Sequence, residues 1–155
     1  MKNDANLSSN RPMSTFQAAE FATSLTCWAR NEFHYKRIWA DLAWANVVCI
    51  RASRVDLYFR HSLKNPQTGF SETALVIARM AFKEQRAGHG RSLLQFLLKV
   101  QPEYGFQSLA LECASTPSIH EFARKFGFEE ICNPGRQSDY LATVESLSAS
   151  VLAKN

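Results

Sequence analysis

The sequence predicts a single domain of the α/β (α+β) class, and three observations predict it. With 155 residues the chain has the length of one ordinary domain. Its hydrophobic fraction of 46% and charged fraction of 21% are globular values, which exclude a chain that is wholly disordered, collagenous or a coiled coil. Along the chain, helical periodicity alternates with short β-rich runs.

Taken in order, residues 1–13 are polar, carry Asn, Ser and Pro, and read as a loose arm with some capacity to form an edge strand. Ser14 with Gln17 is a capping-box pair. It opens an apolar-periodic stretch (Phe16, Ala19, Leu25, Trp28) that predicts a helix over about 15–30. A second helix is expected over about 32–45, from Phe33, Tyr35, Ile38, Trp39, Leu42 and Trp44. The period then changes to β-rich runs, Val47–Ile50 and Val55–Phe59. After the turn Asn65-Pro66-Gln67-Thr68-Gly69, residues Thr73–Phe82 read as a longer, interior strand. Leu93, Leu94, Phe96, Leu97, Leu98 and Val100 mark a helix ending near Pro102. Leu109–Cys113 is another strand, and Pro117 opens a helix closed by Gly127. Phe128–Cys132 and Tyr140–Val144 predict a last strand pair around Asn133-Pro134-Gly135. The domain is expected over 14–145, and 146–155 is expected to fray. No repeat or second domain is visible.

Composition bounds the function classes. No apolar run approaches the roughly 18–20 residues that span a bilayer, and the first residues lack the apolar core of a secretory signal, so a cytoplasmic protein without a membrane partner is expected. Cys27, Cys49, Cys113 and Cys132 form no C-x-x-C pair and no Cys/His cluster at zinc spacing. They read as buried thiols, with no metal. The formal charge of +4 fits a nucleic acid, a phosphorylated cofactor or plain solubility.

The segment that carries chemistry is strand, Gln85-Arg86-Ala87-Gly88-His89-Gly90, helix. Closely spaced glycines let the backbone turn sharply and approach a ligand. The N–H groups that open a helix have no intrahelical partner, and the helix dipole adds partial positive charge, so a pyrophosphate fits there. Arg86 and Arg91 flank the turn and can add charge-assisted contacts. The spacing matches neither a Walker A loop nor the dinucleotide fingerprint, and a β-to-α turn that uses glycine only for geometry is the plain alternative.

Two ordered blocks raise the specificity. Gln85 to Gly90, after an apolar strand and before Ser92-Leu93-Leu94, resembles the Q/R-x-x-G-x-G/A signature of the GNAT superfamily of acyl-CoA-dependent N-acyltransferases. Leu109-Ala110-Leu111-Glu112-Cys113, a helix, then Phe126-Gly127-Phe128 is similar to that family's L-x-L-E-V strand and L-G-F helix end. The blocks cover about residues 73–130; the N-terminal half matches only in layout.

The resemblance implies a mixed central β-sheet flanked by helices. It implies acetyl-CoA as co-substrate, its pantetheine arm beside Ala78, Arg79 and Met80 and its phosphates on Arg86, Ala87, Gly88, His89, Gly90 and Arg91. The reaction implied is direct attack of a primary amine on the thioester in a ternary complex. Glu112 matches a base position, with a surface or salt-bridged glutamate as the even alternative. Two positions depart from the pattern. Ala123 stands where the family often has a Tyr that protonates the thiolate, and Thr116 stands near the usual pantetheine-contacting Asn. His120, one turn before Ala123, is a weak substitute acid. His89 is equally open to facing the core or the ligand. The aromatic segment 33–44 reads as core or subunit interface more than acceptor pocket.

Three function classes fit these residues. The first is an N-acetyltransferase whose acceptor, a small molecule, a protein or an aminoacyl-tRNA, the sequence does not name. The second is a GNAT-like acyl-CoA-binding module acting as sensor or partner protein, which Ala123 keeps open. The third, a small basic nucleic-acid binder, rests on charge alone. Such folds often dimerise, which leaves a homodimer open.

Overall fold

Apolar alternation through the middle of the chain builds a seven-stranded sheet whose two faces are treated differently. The structure, a computed structural model, describes residues 15–44, 46–62, 73–112, 116–131 and 138–152. The elements are α1 (Thr15–Phe33), β1 (Asp41–Trp44), β2 (Val47–Arg51), β3 (Val55–Ser62), β4 (Ala74–Phe82), α2 (His89–Tyr104), β5 (Ser108–Leu111), α3 (Pro117–Lys125), β6 (Glu129–Ile131), β7 (Asp139–Thr143) and α4 (Val144–Leu152). The strand order is β1-β2-β3-β4-β5-β7-β6. Among the described residues only β4 and β5 are parallel, because α2 supplies the crossover that a parallel pair requires.

Alternate residues of β2 to β5 (Val48, Ile50, Leu57, Phe59, Leu75, Ile77, Leu109, Leu111) join one large core cluster with residues of all four helices. Leu111 and Phe126 are buried in that cluster, as the packing of β5 against the following helix requires. The other face carries a small cluster of Ala74, Val76 and Ala110 and, further along β3, the polar side chains Asp56, Tyr58 and Arg60. The mixed interior sheet, with β4 leading into α2, is the arrangement expected from the sequence.

Several expectations are corrected. The second helix expected over 32–45 is not formed across residues 34–44. Helix α1 runs to Phe33, the chain reverses at His34 (φ 57°), and the connector is tied down by two bonds. The Ala40 N–H donates to Thr26 Oγ1 (2.8 Å) and the Arg54 N–H donates to Tyr35 Oη (2.8 Å). These tertiary bonds outweigh the helix-like spacing of the aromatics, and Trp39 is left 62% exposed. Helix α2 continues past Pro102 to Tyr104. Tyr104 is buried, its ring edge-on to Phe21 (5.4 Å) and its hydroxyl 3.4 Å from Ser24 Oγ, and the left-handed Gly105 (φ 71°) closes the helix by donating to the Gln101 carbonyl.

Of the end expected to fray, residues 146–152 belong to α4, with Leu147 and Val151 buried, and 153–155 lie outside the described residues. Thr143 Oγ1 accepts the Ser146 N–H (3.1 Å) and so caps its first turn. Nor are the thiols uniformly buried: Cys27 is exposed and Cys49 half-buried. The 1–13 arm, Ser14, Cys113, Cys132 and the 65–69 and 133–135 turns lie outside the described residues.

Candidate functional site

Strands β4 and β5 part company at the sheet's centre. Their parallel pairing runs from Ala74–Ser108 to Ile77–Leu111, is extended by the Glu112 N–H to the Ile77 carbonyl (3.2 Å), and goes no further among the described residues. At the same level the pairing of β3 with β4 shifts: Tyr58 faces Arg79 and Phe59 faces Ile77, which leaves Ala78 as an extra residue on β4. A bulge of this kind bends the strand and re-aims the side chains beyond it. Past it, Met80 and Phe82 turn into a cleft while Arg79 turns away from it.

That cleft, about 770 Å³, lies between the glycine turn and α3. The turn contributes residues 84–91 and α3 contributes Pro117, Ser118, Ile119, Glu121, Phe122 and Lys125, with Phe126 just beyond. Arg86 (φ 59°) and Gly88 (φ 84°) are both left-handed, which swings the chain from β4 into α2 so that α2 begins at the cleft. The N–H groups of its first turn have no helical acceptor of their own. Arg86, Arg91 and Lys125 bring three cations to the wall against Glu84 and Glu121. The Arg91 and Lys125 charges lie 5.6 and 5.5 Å from the Phe126 ring centre.

The two glycines differ. Gly88 has open space around it but a conformation that L side chains rarely adopt, whereas a Cβ on Gly90 would lie 2.6 Å from the Phe122 ring. Gly90 therefore makes room for a side chain of α3, a reason that the spacing of glycines does not reveal. His89 turns toward α1, where its Nδ1 is 2.8 Å from Glu32 Oε1, and its ring packs on Phe33 with centres 4.6 Å apart.

Of the residues singled out by sequence, Met80, Arg86, Ala87, Gly88, His89, Gly90 and Arg91 line the cleft. Ala78, Arg79, Glu112, Thr116 and His120 do not. Arg79 lies on the opposite face of the sheet, donating to Asp56 (2.8 Å) beside the Tyr58 ring. Thr116 is the exposed N-cap of α3, its Oγ1 3.2 Å from Ser118 Oγ. His120 faces a separate depression and bonds Tyr140 Oη through Nδ1 at 2.5 Å. Glu112 sits where β5 ends, half-exposed, with Oε2 2.8 Å from Arg60 Nη2; the pair has the distance of an ion pair but not the alignment of a hydrogen bond. Ala123 is fully buried in the core cluster and does not reach the cleft. Phe122 and Lys125 escaped sequence reasoning, although the helical spacing of Ser118, Glu121, Phe122 and Lys125 places them on one side of α3.

No family model and no curated protein matches the sequence. Solved structures do. Apo FdhC, a nucleotide-linked sugar GNAT, superposes with a TM-score of 0.52 at 11% identity, covering 96% of this chain and 95% of FdhC. This chain has the GNAT fold. A mutant AtaT toxin bound to the C-terminus of the antitoxin AtaR and acetyl-CoA matches with a TM-score of 0.50 at 15% identity, over 100% of this chain and 96% of its own. The KacTA–DNA complex gives 0.50 at 11% identity, over 88% and 86%. At these identities the likeness establishes the GNAT architecture and leaves the chemistry to the residues themselves. Among the described residues no group of three or more His, Cys, Asp or Glu is placed to hold a metal ion, and no helix is long and apolar enough to cross a membrane.

Proposed function

We propose that the protein is an N-acetyltransferase that moves an acetyl group from acetyl-CoA to a primary amine by direct attack. The observation that carries this reading is the cleft itself. An open α2 N-terminus, a left-handed glycine turn and three cations line it, together with Met80, two residues past the bulge at Ala78. A pyrophosphate on the turn is held by backbone N–H groups and the helix dipole, with Arg86, Arg91 and Lys125 supplying charge. The pantetheine arm then runs along β4 past Met80, toward the bulge at Ala78. The acetyl-CoA-bound AtaT structure on the same fold supports that choice of donor.

The acceptor enters from the other face of the sheet, where Arg60 and Glu112 meet. Backbone N–H groups of β4 beyond Ile77, where its pairing with β5 ends among the described residues, stand beside the thioester carbonyl in this scheme and stabilise its oxyanion. The amine attacks the carbonyl carbon, the C–S bond breaks, and the thiolate leaves with the coenzyme. Glu112 takes the proton from the ammonium once the incoming amine has displaced the Arg60 guanidinium. The thiolate is a tolerable leaving group and takes its proton from solvent in this scheme, since neither Ala123 nor His120 reaches the cleft.

A second reading, an acyl-CoA-binding module with little or no turnover, is favoured by two observations: Ala123 is buried where relatives often carry a proton-donating Tyr, and Glu112 is occupied by Arg60. A free-thiol release assay with acetyl-CoA across a panel of amines separates the two. Amine-dependent thiol release supports the enzyme; tight coenzyme binding without release for any amine supports the module.

A further inference from the structure

We propose that Glu32, on α1 and outside the cleft, is a positioning residue for the donor: by bridging His89 and Ser92 it locks the first turn of α2 and sets the grip on the donor's phosphates. The inference rests on the acyl-CoA reading above and names a residue that no motif in the sequence marks.

Glu32 spends both carboxylate oxygens on one turn of a different helix. Oε1 lies 2.8 Å from His89 Nδ1, and Oε2 accepts from Ser92 Oγ at 2.7 Å. The Ser92 hydroxyl is used in both directions, since it also accepts from Trp28 Nε1 (3.0 Å). The clamp is shielded: His89 is 14% exposed and Glu32 23%, and the His89 ring sits between Phe33 and Phe82, with centres 4.6 and 5.7 Å away. One carboxylate thus ties α1 to the residues that open α2, while Phe82 ties the same histidine to the end of β4.

The turn it secures has reason to need securing. Arg86 at φ 59° holds a left-handed conformation that is unfavourable for a residue with a Cβ. Such a segment persists only where its surroundings over-determine it. Fixing the turn before the ligand arrives removes an ordering cost from binding. A second effect opposes this, because the Glu32 charge repels phosphates across the turn. The two effects predict opposite results when the side chain is removed, and the bidentate, shielded geometry favours the first.

The experiment is calorimetric binding of CoA, with phosphate-free pantetheine as the comparison ligand, to the wild type, Glu32→Gln, Glu32→Ala and Ser92→Ala. Glu32→Ala is expected to weaken CoA roughly tenfold and leave pantetheine unchanged. Glu32→Gln, which keeps an acceptor for Ser92, is expected to stay within about threefold of wild type, and Ser92→Ala to fall between them. If Glu32→Ala does not fold, the order wild type, Glu32→Gln, Ser92→Ala carries the test. CoA affinity in Glu32→Ala or Ser92→Ala equal to or tighter than wild type overturns the inference alone, as does an equal loss for pantetheine. A wild type that binds no CoA overturns the acyl-CoA reading, and this inference with it.

Discussion

Gly88 and Gly90 stand two positions apart and are required for different reasons, the first for its φ of 84° and the second for the Phe122 ring that a Cβ would strike. Gly88→Val and Gly90→Val should therefore both abolish the CoA-induced rise in melting temperature while the protein stays folded, Gly88→Val by distorting the turn and Gly90→Val by pushing Phe122 into the cleft; circular dichroism with thermal melts checks both. Glu112→Gln should leave CoA affinity unchanged and cut turnover about a hundred- to ten-thousand-fold if the carboxylate is the base. Steady-state kinetics beside calorimetry reads the split, and an unchanged rate in an active protein moves the base to a bound water or the acceptor itself. At this scale the sequence is legible where the geometry lies in backbone conformation, as in the glycine turn from Arg86 to Gly90. It is silent on partners far along the chain: Arg60 on Glu112, Tyr140 on His120 and Glu32 on His89 are meetings that only the fold brings about.

Helices and strands are readable wherever periodicity and local chemistry agree, as in β2 to β5 and the first three turns of α2. They mislead where tertiary bonds decide. The stretch after Phe33 has helical spacing of aromatics, yet Thr26, Arg30 and Arg54 hold it as an irregular connector into β1. Helix α4 is the converse case: Leu147 and Val151 four residues apart, with Thr143 as cap, are a usable signal that proximity to the chain end obscures. Since Leu147 is fully buried, Leu147→Ala should destabilise the protein by about 2–5 kcal/mol, read as a lower midpoint in urea with the slope unchanged. A truly frayed end would give almost no shift. The contacts between α1 and α2 include the stacked Trp28 and Phe96 rings, 5.8 Å apart; such a pair adds about 0.5–1.5 kcal/mol beyond its buried area. The helix that bears the glycine turn is thereby held along its length as well as at its start.

Across the described residues, the sheet separates two chemistries, a cleft with three cations on the side of α2 and α3 and an ion-paired face on the other. Folding of this arrangement should weaken in acid. Burial holds the His61 imidazole below its ordinary value of 6.5, so above about pH 6.5 both folded and unfolded chains keep it neutral and nothing is lost. As pH falls below that value the unfolded chain takes up a proton that the folded chain resists, and stability declines. Urea titrations between about pH 7.5 and about pH 5, at steps of about half a unit, should show that decline, and His61→Gln should flatten it whatever its effect on absolute stability; an equal slope in the variant would assign the decline to other groups.

The cleft beside the glycine turn is held to be the seat of an acyl-CoA, and the most direct measurement of that is the melting temperature of the wild-type protein with and without millimolar CoA. At a hundredfold excess over the dissociation constant, a ligand that binds only the native state adds about 2.7 kcal/mol, which in a domain of this size is a rise of roughly 5–10 °C. Such a rise is expected for CoA and acetyl-CoA, and its absence is expected in Gly88→Val. No rise in the wild type at millimolar CoA, with the protein folded and monodisperse, would contradict an acyl-CoA site there.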